Sequence, residues 1–152
     1  MPSRVYEALA TRWDAKSALA AAFPGGIWKD RAPPKTTYPY VVVTGAGFGS
    51  RGFTSGNEDG GAHYWDQRVQ MLIFWKEDES SDPVSAVGTL MRTMDANIQE
   101  APLSIPASEG HILRLQKVGW HEPTMEEEED RIWTGGYDYE AQRREIVDLD
   151  PS

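Results

Sequence analysis

The sequence contains no cysteine. A disulfide framework, a thiolate metal site and a cysteine nucleophile are therefore excluded. Long hydrophobic runs are absent as well, because runs such as 71–75 fall far short of the roughly 20 residues that span a membrane. Residues 1–4 lack the apolar core of a signal peptide. These absences predict a soluble protein that does not contact a membrane and is used in a cytoplasm.

Basic side chains are scarce too. The chain has 15 Lys and Arg against 24 Asp and Glu, which gives a formal net charge of -9. An acidic surface repels phosphate, and the single adjacent basic pair, Arg143-Arg144, is too little for a phosphate-binding stripe. General binding of nucleic acid is therefore disfavoured. The length of 152 residues is typical of one domain, so we predict a single domain over residues 1–152.

Two segments have helical periodicity. The first is predicted from about Ser3, a possible N-cap, to Phe23, before the helix-ending Pro24-Gly25-Gly26. The second is predicted to begin with Asp82 at the N-cap and Pro83 at the first helical position. The expected buried face of the first helix is Val5, Leu9, Leu19, Ala20 and Phe23, and that of the second is Val84, Val87, Met91, Met94 and Ile98.

Four segments rich in β-branched and aromatic residues predict strands, at about 38–44, 63–76, 111–120 and 131–147. The part at 69–75 is apolar on both faces, which is typical of a central strand. Pro123 to Asp130 is predicted as an acidic turn, and Gly135-Gly136 as a bulge or a close backbone approach. The order α-β-β-α-β-β with short links favours an α+β fold, with two helices packed on a mainly antiparallel sheet of about four strands.

Residues 45–62 hold seven of the 14 glycines and few apolar side chains, so we predict a long mobile hairpin loop there. Residues 47–52 fit the pattern G-x-G-x-x-G that cradles a pyrophosphate in dinucleotide folds. No helix can begin in the residues that follow, and Glu58-Asp59 would repel phosphate. The sequence therefore predicts a loop without a bound nucleotide.

Other candidate chemistry is equally sparse. The acidic run 126–130 lacks the alternating oxygen ligands of a calcium loop. His63, His111 and His121 have no second histidine at metal-ligand spacing, and no G-x-S-x-G nucleophile elbow is present. We predict no catalytic residue, no metal and no cofactor. A pair of carboxylates that meet only in the fold remains open as an enzymatic alternative.

The six tryptophans are more informative than the polar residues. Large aromatic side chains are enriched in protein interfaces, and they also fill cores. Both interpretations stay open for tryptophans that lie in or beside predicted strands. The candidate interface residues are Trp28, Trp65, Trp120 and Trp133.

Four features occur in a characteristic order. A short helix precedes the aromatic-proline-aromatic strand entry at 38–42, and a long loop returns into the strand at 69–75. A helix beginning at 82–87 follows, and the strand at 132–140 comes last. In this order and pattern, from about Val5 to Val147, the chain resembles the small tail-completion and tail-terminator proteins of long-tailed bacteriophages.

The resemblance implies a non-enzymatic ring, usually a hexamer, that ends tail-tube polymerisation at the head-proximal end of the virion's tail. The implied partners are the tail tube protein and the neck or connector proteins. DNA would pass through the lumen without specific binding, and assembly would take place in the cytoplasm of the bacterial host.

The loop at 45–62 is the expected assembly segment, since its ordering on contact would delay premature polymerisation. Its candidate residues are Gly45, Gly47, Phe48, Gly49, Arg51 and Phe53. The alternatives are another head-to-tail connector or minor virion protein, and a small-ligand binding module or small enzyme.

Overall fold

The computed structural model describes residues 2–45, 53–57, 60–78, 82–100, 103–104 and 112–147. These residues form three helices and a seven-stranded sheet. The helices are α1 (Pro2–Ala15), α2 (Ser17–Ala22) and α3 (Pro83–Gln99). The strands are β1 (Ile27–Lys29), β2 (Tyr40–Gly45), β3 (Phe53–Asn57), β4 (Gly60–Lys76), β5 (Leu103–Ser104), β6 (Ile112–Glu127) and β7 (Ile132–Val147).

The strands lie in the order β1-β2-β4-β7-β6-β5, and β3 pairs with the first residues of β4 beside β2. Every pair is antiparallel except β1 with β2. The α+β prediction is confirmed, and β4 is the central strand that its apolar run indicates. The predicted number of about four strands is too low, because β1, β3 and β5 are too short for a periodic signal.

The predicted helix from Ser3 to Phe23 is in fact two helices. Lys16 has φ -112° and ψ 107°, an extended conformation that separates α1 from α2. The break resets the helical period, so Leu19 and Phe23 are buried whereas Ala20 is exposed. Because α1 begins at Pro2, Ser3 lies inside the helix and is not its N-cap.

Two cations on α1 and at the break hold the C-terminal end of α3. The Arg12 guanidinium donates hydrogen bonds to the carbonyl oxygens of Asn97, at 2.9 Å, and Ile98, at 3.2 Å. Lys16 forms an ion pair with Glu100, just beyond the helix. The last carbonyls of a helix have no partners within it and carry partial negative charge, so cations there stabilise the helix end.

We expect Arg12→Ala to lower the free energy of unfolding by about 1–2 kcal/mol, because the carbonyls of α3 lose a charged donor. The matched control is Lys16→Ala, which removes a solvent-exposed ion pair and should leave the free energy of unfolding nearly unchanged. Urea denaturation followed by circular dichroism measures both values. Equal effects for the two variants would contradict the capping role of Arg12.

Helix α3 packs on the sheet through Val87, Met91, Met94 and Ile98, all 3% exposed or less, as the period predicts. Val84 was predicted on the same face but is 52% exposed. Asp82 is the N-cap residue, although its side chain makes no capping hydrogen bond. The elements share one core cluster that includes α1, α2, α3 and the five strands β2, β4, β5, β6 and β7.

The glycine-rich stretch is more ordered than a loop at 45–62 implies. Strand β3 pairs with residues 60–64 of β4, so 53–57 and 60–62 are strand residues. Backbone pairing needs no side chain, which is why a stretch poor in apolar residues still forms a ladder. Residues 46–52 and 58–59 lie outside the described part, and the mobility of the segment stays a prediction.

The acidic turn is shorter than the predicted span from Pro123 to Asp130. Strand β6 continues to Glu127, so the turn to β7 contains only residues 128–131. Three irregularities in the register with β7 lie between Lys117 and Glu127. The irregularity between His121 and Thr124 accommodates Pro123, which has no N–H for a regular ladder.

Candidate interaction surface

The predicted assembly residues fall on both sides of the undescribed segment 46–52. Gly45 ends β2 and Phe53 begins β3. Both strands pair with the same edge of β4, Gly45 opposite Val69 and Phe53 opposite Tyr64. The other candidates, Gly47, Phe48, Gly49 and Arg51, lie outside the described residues, as does the G-x-G-x-x-G pattern.

Two of the four candidate interface tryptophans are held within the fold. Trp28 on β1 is half-buried, and its indole N–H donates to the Gly25 carbonyl oxygen at 2.7 Å. Trp133 on β7 packs against the core, and its indole nitrogen is buried with no hydrogen-bond partner in the described part of the chain. For Trp65 the structure gives the backbone position alone, in β4 opposite Arg143.

Trp120 is the candidate that the structure leaves open to solvent. Its side chain is 60% exposed on β6, where it lies opposite Tyr137 of β7. The described residues include four exposed large hydrophobic side chains, three on β6 and one in the first turn of α3. We call this set, Val84, Val118, Trp120 and Met125, the β6 patch.

Part of the β6 patch borders a groove of about 350 Å³ between the first half of α3 and β6. Val84, Trp120, Pro123 and Tyr137 give it apolar and aromatic walls. The polar groups on its rim include the carboxylate of Asp82 and the guanidinium of Arg92, and the Arg92 side chain also donates to Thr89. The described residues that line the groove include no pair of carboxylates and no histidine, so these walls offer shape and apolar contact rather than acid–base chemistry.

Beside the groove, the outer edge of β6 has no strand neighbour over most of its described length. β5 pairs only with Ile112 and Leu113. Beyond that pair, the Gln99 side chain donates to the carbonyl oxygen of Leu115 at 2.9 Å. The bulges between Lys117 and Glu127 make the remaining edge irregular, which disfavours continuous pairing with another strand. Contacts with this edge therefore depend mainly on its side chains.

The hairpin that joins β6 to β7 concentrates negative charge at one end of the sheet. The run from Glu126 to Asp130 is exposed throughout. A hydrogen bond with Asp130 raises the pKa of Glu127. Desolvation and the negative charges of Asp130 and Glu129 raise this pKa further. Like charges are thus crowded here, and contact with cations would relieve their repulsion.

The sheet face opposite the helices carries a polar trio and an aromatic row. His121 Nε2 lies 3.0 Å from the Asp138 carboxylate and 3.1 Å from the Gln70 side-chain amide. Tyr40 stacks on Phe74 with ring centroids 5.1 Å apart. Burial, followed by the neighbouring Tyr38, raises the pKa of Tyr40 from 10.0 to about 12.

The raised pKa of Tyr40 makes stability depend on alkaline pH. Its folded pKa of about 12 exceeds the ordinary value of 10.0, so its contribution is fully present below pH 10 and is lost as pH rises towards 12. We expect the thermal midpoint of the native chain to fall more steeply over this interval than that of Tyr40→Phe. Calorimetry of both chains from pH 8 to 12 checks this, and parallel curves would contradict it.

The described residues contain no group of three or more His, Asp or Glu side chains placed to hold a metal ion. His121 is the one candidate histidine whose side chain the structure describes, and its neighbours are those of the polar trio. None of the helices in the described part has both the length and the apolar character to cross a membrane.

No protein-family model and no curated protein matches the chain. Among solved structures, the chain is similar to the gp17 protein of bacteriophage SPP1, with a TM-score of 0.53 and 11% sequence identity. The match covers 99% of this chain and 94% of gp17. At this identity the likeness shows a common fold over nearly the whole length of both chains.

Proposed function

We propose that this chain is a structural, non-enzymatic subunit of a bacteriophage tail, of the tail-terminator type. The observation that carries the proposal is the fold shared with a bacteriophage protein over 99% of the chain. The order of elements in the sequence supports the same assignment independently. In this role the chain forms a homo-oligomeric ring, a hexamer, at the head-proximal end of the tail. It meets the tail tube protein on one side and the neck or connector proteins on the other.

The surface of the described residues supports a role in assembly. Single exposed hydrophobic residues are ordinary on a soluble protein, whereas a cluster beside a groove marks an interaction site. Val84 and Trp120 of the β6 patch meet at the groove, and the adjoining edge of β6 has no strand partner beyond Leu113 among the described residues. Tryptophan at a partly enclosed site is typical of the residues that contribute most to binding.

The net charge of -9 supports a lumen that lets DNA pass without holding it. Phosphate is repelled by an acidic wall, and the affinity of proteins for DNA derives largely from Lys and Arg contacts. We propose that DNA crosses the ring without specific binding.

Electron microscopy of phage particles that lack this gene tests the proposal. Overlong or ragged tails with unattached heads are expected, because nothing ends the tube. Tails of normal length with unattached heads would favour a head-to-tail connector instead. Infectious particles with normal tails would overturn the structural role, and complementation with the intact gene controls for effects on neighbouring genes.

We further propose that the segment around residues 46–52 orders during assembly. Gly45 and Phe53 lie opposite positions five residues apart on β4, a span of roughly 17 Å at about 3.4 Å per residue. Deleting the segment would strain both strands, so the useful variant replaces 46–52 with seven Gly and Ser residues. We expect an unchanged thermal midpoint and a loss of complementation in the phage. An unfolded variant, or full complementation, would contradict this expectation.

A further inference from the structure

The groove beside Trp120 has the chemistry of a site for a proline-containing segment. Two aromatic rings, Trp120 and Tyr137, and the ring of Pro123 line it. Aromatic and apolar walls accept proline rings, and the fixed φ of proline reduces the entropy that is lost on binding. An indole face also attracts a cation at either side of such a segment.

The chain itself presents a proline-containing turn, with Lys35 at φ 66°, at the opposite edge of the sheet. The connector from β1 to β2 contains Arg31-Ala32-Pro33-Pro34-Lys35, with every residue except Ala32 exposed. The Thr36 hydroxyl donates to the Pro33 carbonyl oxygen at 2.6 Å, and the Arg31 N–H donates to the Lys29 carbonyl oxygen at 2.7 Å. These bonds hold the connector in shape before any contact, which lowers the cost of docking.

The charges of the two regions are complementary. Arg31 and Lys35 are exposed, and neither forms an ion pair within the described part of the chain. Asp82 and Arg92 balance each other on the groove rim. The exposed acidic run at 126–130 follows the groove residue Pro123 along β6, and this run supplies the negative charge next to the groove. Complementary charges steer association and fix its register.

We propose that the groove between α3 and β6 binds the connector segment 31–35 of a second copy of this chain. The groove and the connector lie at opposite edges of one sheet, so a chain cannot fill its own groove with its own connector. The contact is therefore head-to-tail, the kind of contact that generates a ring when its rotation closes. This inference rests on the proposed ring, for which it names the subunit contact.

The absence of cysteine allows a direct test by disulfide trapping. One variant is Ser85→Cys, on the groove wall, and the other is Ala32→Cys, in the connector. Mixed under mild oxidation, the two are expected to give a cross-linked heterodimer on non-reducing gels. The matched control is Ala20→Cys, which is exposed on α2 and should give only background cross-linking with Ser85→Cys.

Removing the recognition elements should remove the cross-link. We expect Trp120→Ala, added to the Ser85→Cys chain, to reduce heterodimer yield at least about tenfold, as about 1.4 kcal/mol of lost contact would. Arg31→Glu with Lys35→Glu in the other chain should act similarly. All these positions are exposed, apart from half-buried Ala32. Circular dichroism of each variant checks that it folds. A yield equal to the Ala20→Cys background, or insensitive to Trp120→Ala, would overturn the proposal.

A mixing experiment tests the head-to-tail arrangement separately. A chain with Trp120→Ala keeps a working connector, and a chain with Arg31→Glu and Lys35→Glu keeps a working groove. We expect neither to self-associate, and the two together to form a dimer that stops there in sedimentation velocity. Self-association of either variant, or a mixture that stays monomeric at concentrations where the unsubstituted chain associates, would rule out this contact.

Two experiments distinguish a failure of this inference from a failure of the proposed function. Suppose that negative-stain micrographs of the unsubstituted chain show closed rings, but Ser85→Cys and Ala32→Cys do not cross-link. The ring is then supported, and the proposed contact is wrong. The cross-link without closed rings, together with normal tails in phage that lack the gene, would leave the contact standing and overturn the proposed function.

Discussion

Replacing Gly136 with alanine is expected to lower the free energy of unfolding by about 3 kcal/mol, the upper end of the range for overpacked sites. A Cβ at this position would lie 1.9 Å from the carbonyl oxygen of Met71 on the neighbouring strand β4. That oxygen belongs to the backbone of the central strand, so no side-chain rotation relieves the clash. For a chain of this length, the loss corresponds to a fall of roughly 6–12 °C in thermal midpoint.

Two other glycines provide a graded comparison. At Gly135 a Cβ would lie 2.8 Å from Val87 Cγ1 and 3.0 Å from Met91 Sδ, which are side-chain rather than backbone atoms. We expect Gly135→Ala to cost about 1–2 kcal/mol. At Gly45 nothing lies within 4 Å of the added Cβ, so Gly45→Ala should change stability by less than about 1 kcal/mol. Calorimetry of the three variants gives the order, and a cost at Gly136 no larger than at Gly45 would contradict the close strand approach.

Replacing Asp95 with alanine is expected to cost about 2–3 kcal/mol, because a buried hydroxyl loses its acceptor. The Tyr139 side chain is fully buried, and its hydroxyl donates to Asp95 Oδ1 at 2.8 Å. Lys117 donates to the other carboxylate oxygen at 3.1 Å and lies over the Tyr137 ring. Asp95 thus joins α3 to both β6 and β7.

A double-mutant cycle separates the hydrogen bond from the loss of the carboxylate itself. Tyr139→Phe keeps the ring in the core and should cost about 1 kcal/mol. In the double variant no buried hydroxyl is left without a partner, so its cost should be smaller than the sum of the single costs by roughly 0.5–1.5 kcal/mol. Urea denaturation of the four chains measures this, and additive costs would show that the hydroxyl and the carboxylate do not depend on each other.

Burial also raises the pKa of Tyr139, and the charge of Asp95 acts in the same direction. Together with Tyr40, this residue makes the fold sensitive to strongly alkaline conditions. For both residues the phenol pKa is higher in the folded chain than its ordinary value of 10.0. The stability that each contributes is therefore present below about pH 10 and is lost as the pH rises further.

The fold of this chain is shared, over 99% of its length, with the gp17 protein of bacteriophage SPP1. The ring, its copy number and its partners are proposals that rest on the resemblance in sequence order and on the β6 patch. The phage deletion and the disulfide trap test these separately.

The sequence alone determined the elements that have strong periodic signals. Helix α3 begins where Asp82 and Pro83 indicate, and β4 is central because the stretch 69–75 is apolar on both faces. The acidic composition disfavours general binding of nucleic acid, and the absence of cysteine excludes disulfides and thiolate chemistry. These features are local or compositional, so their physical causes are present in the chain itself.

Only the tertiary structure decided the short strands, the roles of two cations on the first helical segment, and which tryptophans are exposed. The strands β1, β3 and β5 depend on pairing with neighbours, and their own residues give too weak a signal. Arg12 and Lys16 interrupt an apolar stripe in the sequence, whereas in the fold they bind the end of α3. The exposure of Trp120 and the burial of Trp75 also follow from the layer that each strand face meets, because identical side chains are core or interface depending on what packs over them.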